Sequence, residues 1–129
     1  MGERVCLAAN TFQINEDLVS SYGYALQDLN PIHFDDKAAE DAGYPAKVAH
    51  GMILMTLAQK TITLKEVGWF ASMYEARFTA PVFVGERIFI EPVMLSEEES
   101  MMQFRIEAQN RGGKKVLDGF VVFTKRSST

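Results

Sequence analysis

The chain has 129 residues, 47% of them hydrophobic and 23% charged, with 13 Lys+Arg against 17 Asp+Glu for a net charge of −4. That is the size of one domain, spanning 1–129, and enough to bury a core without staples. The composition excludes a disordered tract, and the acidic balance argues against nucleic acid as a main partner, because phosphate contacts need a basic face.

Arg4 to Ala9 is short and apolar and predicts a first strand. It contains Cys6, whose status as the single cysteine excludes an intramolecular disulfide. Within the run VCLAA it reads as a buried, inert thiol. The Met-Gly-Glu-Arg start has no basic segment followed by a long apolar one, so no signal peptide is expected. No apolar run approaches the ~20 residues that span a bilayer. These features suggest a cytoplasmic protein with no membrane partner.

Thr11 to Ile14 alternates polar and apolar residues, as an edge strand or a connector would. Asn15 then has the chemistry of an N-cap, with Glu16 and Asp17 where a helix dipole favours negative charge. Leu18, Val19, Tyr22, Leu26 and Leu29 recur at helical spacing, which predicts a helix from Asp17 to Gln27. Pro31 disfavours helical geometry at Asn30, so the helix should stop near Asp28. A second short helix is expected from Asp35 or Asp36 to Gly43, and then a loop from Tyr44 to Ala49. From Gly51 the chain is almost continuously apolar, and its length predicts a long, buried central helix reaching Val67.

After Gly68 the pattern changes to strands: Trp69 to Ala80, Arg87 to Leu95, Met101 to Asn110 and Lys115 to Lys125. Met102, Phe104, Ile106 and Ala108 share one face and Gln103, Arg105, Glu107 and Gln109 the other, the mark of a sheet with one wet side. Val84 to Arg87 and Asn110 to Gly113 read as tight turns, and Pro92 suggests a bulge or an edge. Glu97 to Glu99 reads as a solvated connection, and Ser127 to Thr129 as a frayed end. A lone apolar helix followed by consecutive antiparallel strands makes an α+β domain in which the sheet wraps the helix.

The chemistry concentrates between Tyr24 and Leu54, which holds both histidines, His33 and His50. Asp28 and His33 are the types that make an acid/base pair near neutral pH, and Pro31 between them can turn both toward one pocket. The plainer alternative is an Asx-type turn, with Asp28 or Asn30 satisfying local amides and His33 capping the next helix. Gly51 at the start of a buried helix could offer an N–H to an oxyanion, or it could simply start the helix in a tight space. His50 reads as a loop histidine that orients the turn. Gln59, a little over two turns beyond Gly51, could reach the pocket or an interface. Met52, Met55, Met73, Met94, Met101 and Met102 suit a core or an apolar pocket rather than a cofactor site. Arg111, Lys114 and Lys115 leave room for a local phosphate-binding patch. There is no Cys/His cluster with zinc spacing, no Gly-rich phosphate loop and no nucleophile elbow, so neither a metal nor a cofactor is expected.

The run from Tyr24 through Asp28-Leu-Asn30-Pro31-Ile32-His33 to Ala38-Ala39 resembles the signature of the MaoC-like, (R)-specific enoyl-CoA hydratases. Ala49-His50-Gly51-Met52 is similar to that family's second recurring segment, and Phe78 to Glu86 to its strand pair and turn. The resemblance covers nearly the whole chain. It implies a hot-dog fold, a long helix wrapped by an antiparallel sheet. It also implies a catalytic dyad of Asp28 and His33, with His33 favoured as base and Asp28 as proton donor, and Gly51 holding the thioester oxygen. Asn30, Gln27, Gln59 and Met52 would line the pocket. The implied substrate is an acyl thioester carried by CoA or acyl carrier protein, hydrated or dehydrated in a homodimer or a dimer of dimers. A 3-hydroxyacyl-ACP dehydratase, a hot-dog thioesterase and a non-catalytic partner subunit are the alternatives. Two positions depart from the family: Gln27 replaces the usual Gly before the Asp, and Gln59 stands where a small hydroxyl residue often occurs.

Overall fold

The computed structural model describes residues 4–126, so the expected frayed end at Ser127 to Thr129 lies outside the described residues, as do the first three positions of the N-terminus. The strands β1 (Val5–Leu7), β2 (Asn10–Gln13), β3 (Ile62–Leu64), β4 (Trp69–Phe78), β5 (Arg87–Glu97), β6 (Met101–Asn110) and β7 (Lys115–Lys125) accompany the helices α1 (Glu16–Leu26), α2 (Asp36–Asp41) and α3 (Gly51–Gln59). Five strands form one antiparallel sheet in the order β2-β5-β6-β7-β4, while β1 and β3 pair separately. The sheet curves over α3, giving the α+β hot-dog architecture.

The expected alternation of β6 is observed: Met102, Phe104, Ile106 and Ala108 are all fully buried. They meet Ile53, Leu54, Leu57 and Ala58, the inward residues of α3, in one core with Val116, Leu117 and Val121 of β7. Each large apolar side chain buried here contributes about 1.5–3 kcal/mol. The Tyr74 hydroxyl adds a polar tie, donating to the Met55 carbonyl at 2.7 Å and so linking β4 to the middle of α3. Burial pushes the Tyr74 phenol up to about 12.

Pro92 is explained by the lengths of its neighbours. β2 pairs with β5 only up to Ile90, so Pro92 has β6 on one side and no β2 partner for the amide it lacks. The other edge of the sheet, β4, pairs with β7 along its length with one bulge between Ala71 and Met73.

Three expectations are corrected. The central helix does not reach Val67: α3 has nine residues and ends at Gln59. Beyond it, Thr61, Ile62 and Thr63 are β-branched and poor helix formers. The Thr61 hydroxyl donates to the Ala58 carbonyl at 2.6 Å, closing the helix end, and Ile62 and Leu64 then pair with Leu7 and Val5. Nor is α3 buried all round, because Met52 is 52% exposed. Cys6 is exposed rather than buried: strand alternation in β1 turns Val5 inward and Cys6 outward, and a two-stranded sheet covers only one face. The remaining methionines divide, with Met102 in the core and Met73 and Met101 at the surface.

Candidate active site

α1 starts where Asn15 caps it, the side chain accepting from the Leu18 amide at 2.8 Å. It ends at Leu26, slightly before the expected stop, because Gln27 takes the left-handed conformation with φ 56° and ψ 30°. The following amide, Asp28 N–H, donates back to the Gly23 carbonyl at 2.9 Å. This is a Schellman-type ending built on a residue other than glycine. Gln27 therefore shapes the helix end, and its side chain is exposed.

Asn30 carries the local turn, its side chain accepting from the Ile32 amide at 3.2 Å. Pro31–His33 forms a single 3₁₀ turn. Asp35, not His33, caps α2, accepting from Lys37 N–H at 3.2 Å. His33 is thus free of the capping duty that the plainer reading gave it. It is buried, and its Nδ1–H donates to the Val48 carbonyl at 2.6 Å. A carbonyl can only accept, so this bond leaves the lone pair of the neutral ring on Nε2. That nitrogen lies 3.9 Å from Asp28 Oδ2, whose side chain is half exposed. The gap is too long for a direct hydrogen bond and fits one water between the two groups.

His50 is brought into the same cluster. It is 3% exposed and stacks on His33 with ring centroids 3.6 Å apart and 23° between planes. Its Nε2–H donates to the Asp28 carbonyl at 3.0 Å, so it orients the turn from within the cluster. Phe34 packs edge-on to both imidazoles, and Gly23 makes room for its ring: a Cβ there would collide with Phe34. Nothing in the spacing of the sequence points to Phe34 as part of the cluster. The Phe34–Gly23 fit has no sequence signal beyond a glycine in a helix.

Gly51 opens α3 directly beside this cluster. His50 stands in the N-cap position but makes no side-chain bond to the helix, and Ile53 N–H donates to the His50 carbonyl at 3.1 Å. The N–H of Gly51 is therefore left to something outside the helix. The space beside Gly51 is also tight, since a Cβ would lie 2.9 Å from Cζ of Phe78. Met52 follows on the exposed side. Gln59 is not at the dyad: eight residues along α3, about 12 Å away, it lines a groove of about 590 Å³ with Ile62, Leu64 and Phe123. Of the suggested phosphate patch, Lys115 is already paired with Glu107 at 2.8 Å.

Asp28, His33 and His50 place one ligand atom each within 4.8 Å of the others, close enough to ask whether they hold a metal. The stacking argues against it. Imidazole lone pairs lie in the ring planes, and near-parallel rings 3.6 Å apart aim them side by side rather than at one ion about 2.0–2.1 Å from each nitrogen.

In a hot-dog fold, a buried imidazole and a carboxylate thus lie beside the open N-terminus of a helix. Residues 3–115 match the MaoC like domain family, and the chain belongs to it. It is 26% identical over 106 residues to a mitochondrial 3-hydroxyacyl-[acyl-carrier-protein] dehydratase of Arabidopsis thaliana, covering 78% of this chain and 64% of that protein. It is 30% identical over 105 residues to the peroxisomal enoyl-CoA hydratase 2 of the same plant, covering 79% of this chain but 33% of the relative. The chain thus spans less than two thirds of either curated protein. Among solved structures, the R-hydratase PhaJ1 of Pseudomonas aeruginosa superposes with a TM-score of 0.79 at 26% identity, covering 94% of this chain and 80% of that one. Among the described residues no helix is long and apolar enough to cross a membrane.

Proposed function

We propose that this chain hydrates trans-2-enoyl-CoA to (R)-3-hydroxyacyl-CoA, or runs the reverse dehydration, with Asp28 and His33 as the dyad. The observation that carries this reading is Nε2 of His33 facing Asp28 Oδ2 across 3.9 Å, beside the uncapped Gly51 amide. A thioester oxygen accepting from Gly51 N–H makes C3 electrophilic and stabilises the charge that develops on the oxygen. His33 Nε2 takes one proton of the water as its oxygen bonds to C3, and the C2–C3 π pair moves toward the thioester oxygen. The imidazolium passes that proton to the Asp28 carboxylate, which delivers it to C2 as the charge on the thioester oxygen collapses. One water has been added, and both groups are restored.

The acyl chain would run along α3 toward the groove at Gln59, and the active unit would be a homodimer. β4 supports the second point: its outer edge has no strand partner among the described residues, and Phe70, Met73 and Phe78 on it are exposed. A long edge strand of this kind invites pairing with another copy.

The test is loss of enoyl absorbance from crotonyl-CoA. Activity abolished in Asp28→Asn and in His33→Ala supports the dyad, and full activity in both overturns it. The similarity to a carrier-protein dehydratase makes the acyl carrier protein thioester the second candidate, and a higher kcat/KM on crotonyl-ACP than on crotonyl-CoA would select it.

A further inference from the structure

We infer that His50 is a positioning residue, which holds the Asp28 main chain so that its carboxylate faces His33. The inference rests on the hydratase reading and adds to it a residue outside the Asp-x-Asn-Pro-Ile-His motif.

Asp28 follows the left-handed Gln27 and lies in no helix or strand. Its backbone is held by two bonds. Asp28 N–H is fixed by the Gly23 carbonyl at 2.9 Å, and Asp28 C=O by His50 Nε2–H at 3.0 Å. Together they set the peptide groups on both sides of its Cα. The carboxylate itself lies beside the two imidazoles without a close contact to either, with Oδ2 at 3.9 Å from His33 and 4.0 Å from His50, and it is 52% exposed. With so little of its own to hold it, the carboxylate takes its aim from the backbone. Losing the His50 bond frees one of the two peptide groups.

The environment of His50 argues against a filler role. A Ser, Thr, Asp or Asn at this N-cap would bond the first turn of α3, the usual arrangement. His50 instead leaves that turn open and reaches across to Asp28, 22 residues away in sequence. Its Nδ1 is buried with no hydrogen-bond partner among the described residues. An apolar side chain of similar size would fill the space without that unsatisfied nitrogen. What it would lack is the donor to Asp28. The stack with His33 adds a second constraint, because the ring face of His50 limits how far the His33 imidazole can tilt.

The test compares His50→Phe, which keeps the ring face and volume without the donor, with His50→Gln, which keeps an N–H near the Nε2 position. A misplacement of about 1 Å costs on the order of 100-fold, so with crotonyl-CoA His50→Phe should lower kcat by roughly 10–100-fold while KM stays within about twofold. His50→Gln should recover most of kcat. Thermal unfolding and circular dichroism identify which variants are folded. A folded His50→Phe with unchanged kcat overturns the inference, as does a folded His50→Gln no better than it. A readout independent of turnover is the ¹³C shift of the Asp28 carbonyl and carboxyl carbons, which should move in His50→Phe and return toward the unsubstituted values in His50→Gln. If the unsubstituted chain hydrates no enoyl thioester, the hydratase reading falls. The ¹³C comparison then decides the His50–Asp28 link by itself: shifts unchanged in His50→Phe overturn it.

Discussion

The imidazoles of His33 and His50 lie face to face, 3.6 Å between centroids, yet they donate through different nitrogens to carbonyls in different segments: His33 Nδ1 to Val48 and His50 Nε2 to Asp28. The two rings therefore donate through opposite nitrogens within one stack, and as neutral rings only His33 would present a lone pair at Nε2 toward Asp28.

The stack also bears on metal chemistry. Because parallel rings cannot both aim at one ion, dialysis against a chelator should leave the rate with crotonyl-CoA unchanged, and added zinc should give no increase. A rate lost with chelator and restored by zinc would show that the cluster opens to ligate it.

Gln27 holds a left-handed conformation that costs an L-residue other than glycine ~1–2 kcal/mol. Gln27→Gly relieves this, offset in part by the greater chain entropy of glycine in the unfolded state. The net gain should be roughly 0.5–1 kcal/mol in urea unfolding, with an unchanged m-value. A loss of stability would mean that the Gln27 side chain does more than tolerate its backbone.

At Gly51 a methyl group must displace the ring of Phe78, which is 46% exposed and so has room to move. Gly51→Ala should keep the fold, with a small change in Tm. The N–H survives but its approach is narrowed, so kcat/KM should fall by roughly tenfold or more. Wild-type turnover would remove Gly51 from the oxyanion role.

Gln59 and Ile62 line the groove beyond the far end of α3 from the dyad. If the acyl chain enters it, Gln59→Ala should raise preference for longer enoyl chains. The expected gain is about fourfold in kcat/KM per additional buried methylene, from ~0.8 kcal/mol each. A chain-length profile identical to wild type would place the acyl chain elsewhere.

Acid stability should depend on Arg4. Glu66 is lowered from 4.5 to about 2, first by its hydrogen bond from Arg4, then by bonds from Trp69 and Lys125. The Arg4–Glu66 contact is 2.9 Å, and Arg4 also reaches the Glu98 and Glu99 carbonyls, joining β1 to the β5–β6 connection. A depressed carboxyl contributes stability that is present above its unfolded value and lost as pH falls through its folded value. The stability difference between the unsubstituted chain and Arg4→Met should therefore shrink between pH 4.5 and about 2. A difference that stays constant across that window would assign the effect to packing of Arg4 over Trp69, 5.2 Å from the ring centroid.

Much of this protein could be read residue by residue. The Asn15 cap, the alternation of β6, the turn at Asn110 to Gly113 and the Asp-x-Asn-Pro-Ile-His run are local patterns, because caps, strand faces and tight turns are settled by residues a few positions apart. Pro31 between Asp28 and His33 belongs to the same class, because it turns the chain between two groups only five residues apart. Other features needed the chain to close on itself. α3 stops at Gln59 because Ile62 to Leu64 pairs with Val5 to Leu7, a partnership that the apolar run alone does not reveal. The same pairing decides that Cys6 faces outward. His50 joins Asp28 only because the loop before α3 folds back over the end of α1, where a buried imidazole finds a backbone carbonyl to bond. Hydrophobic periodicity reports which face of an element is buried. It does not report which distant element covers that face or which carbonyl a buried imidazole meets there, and at this site those long-range contacts set the geometry.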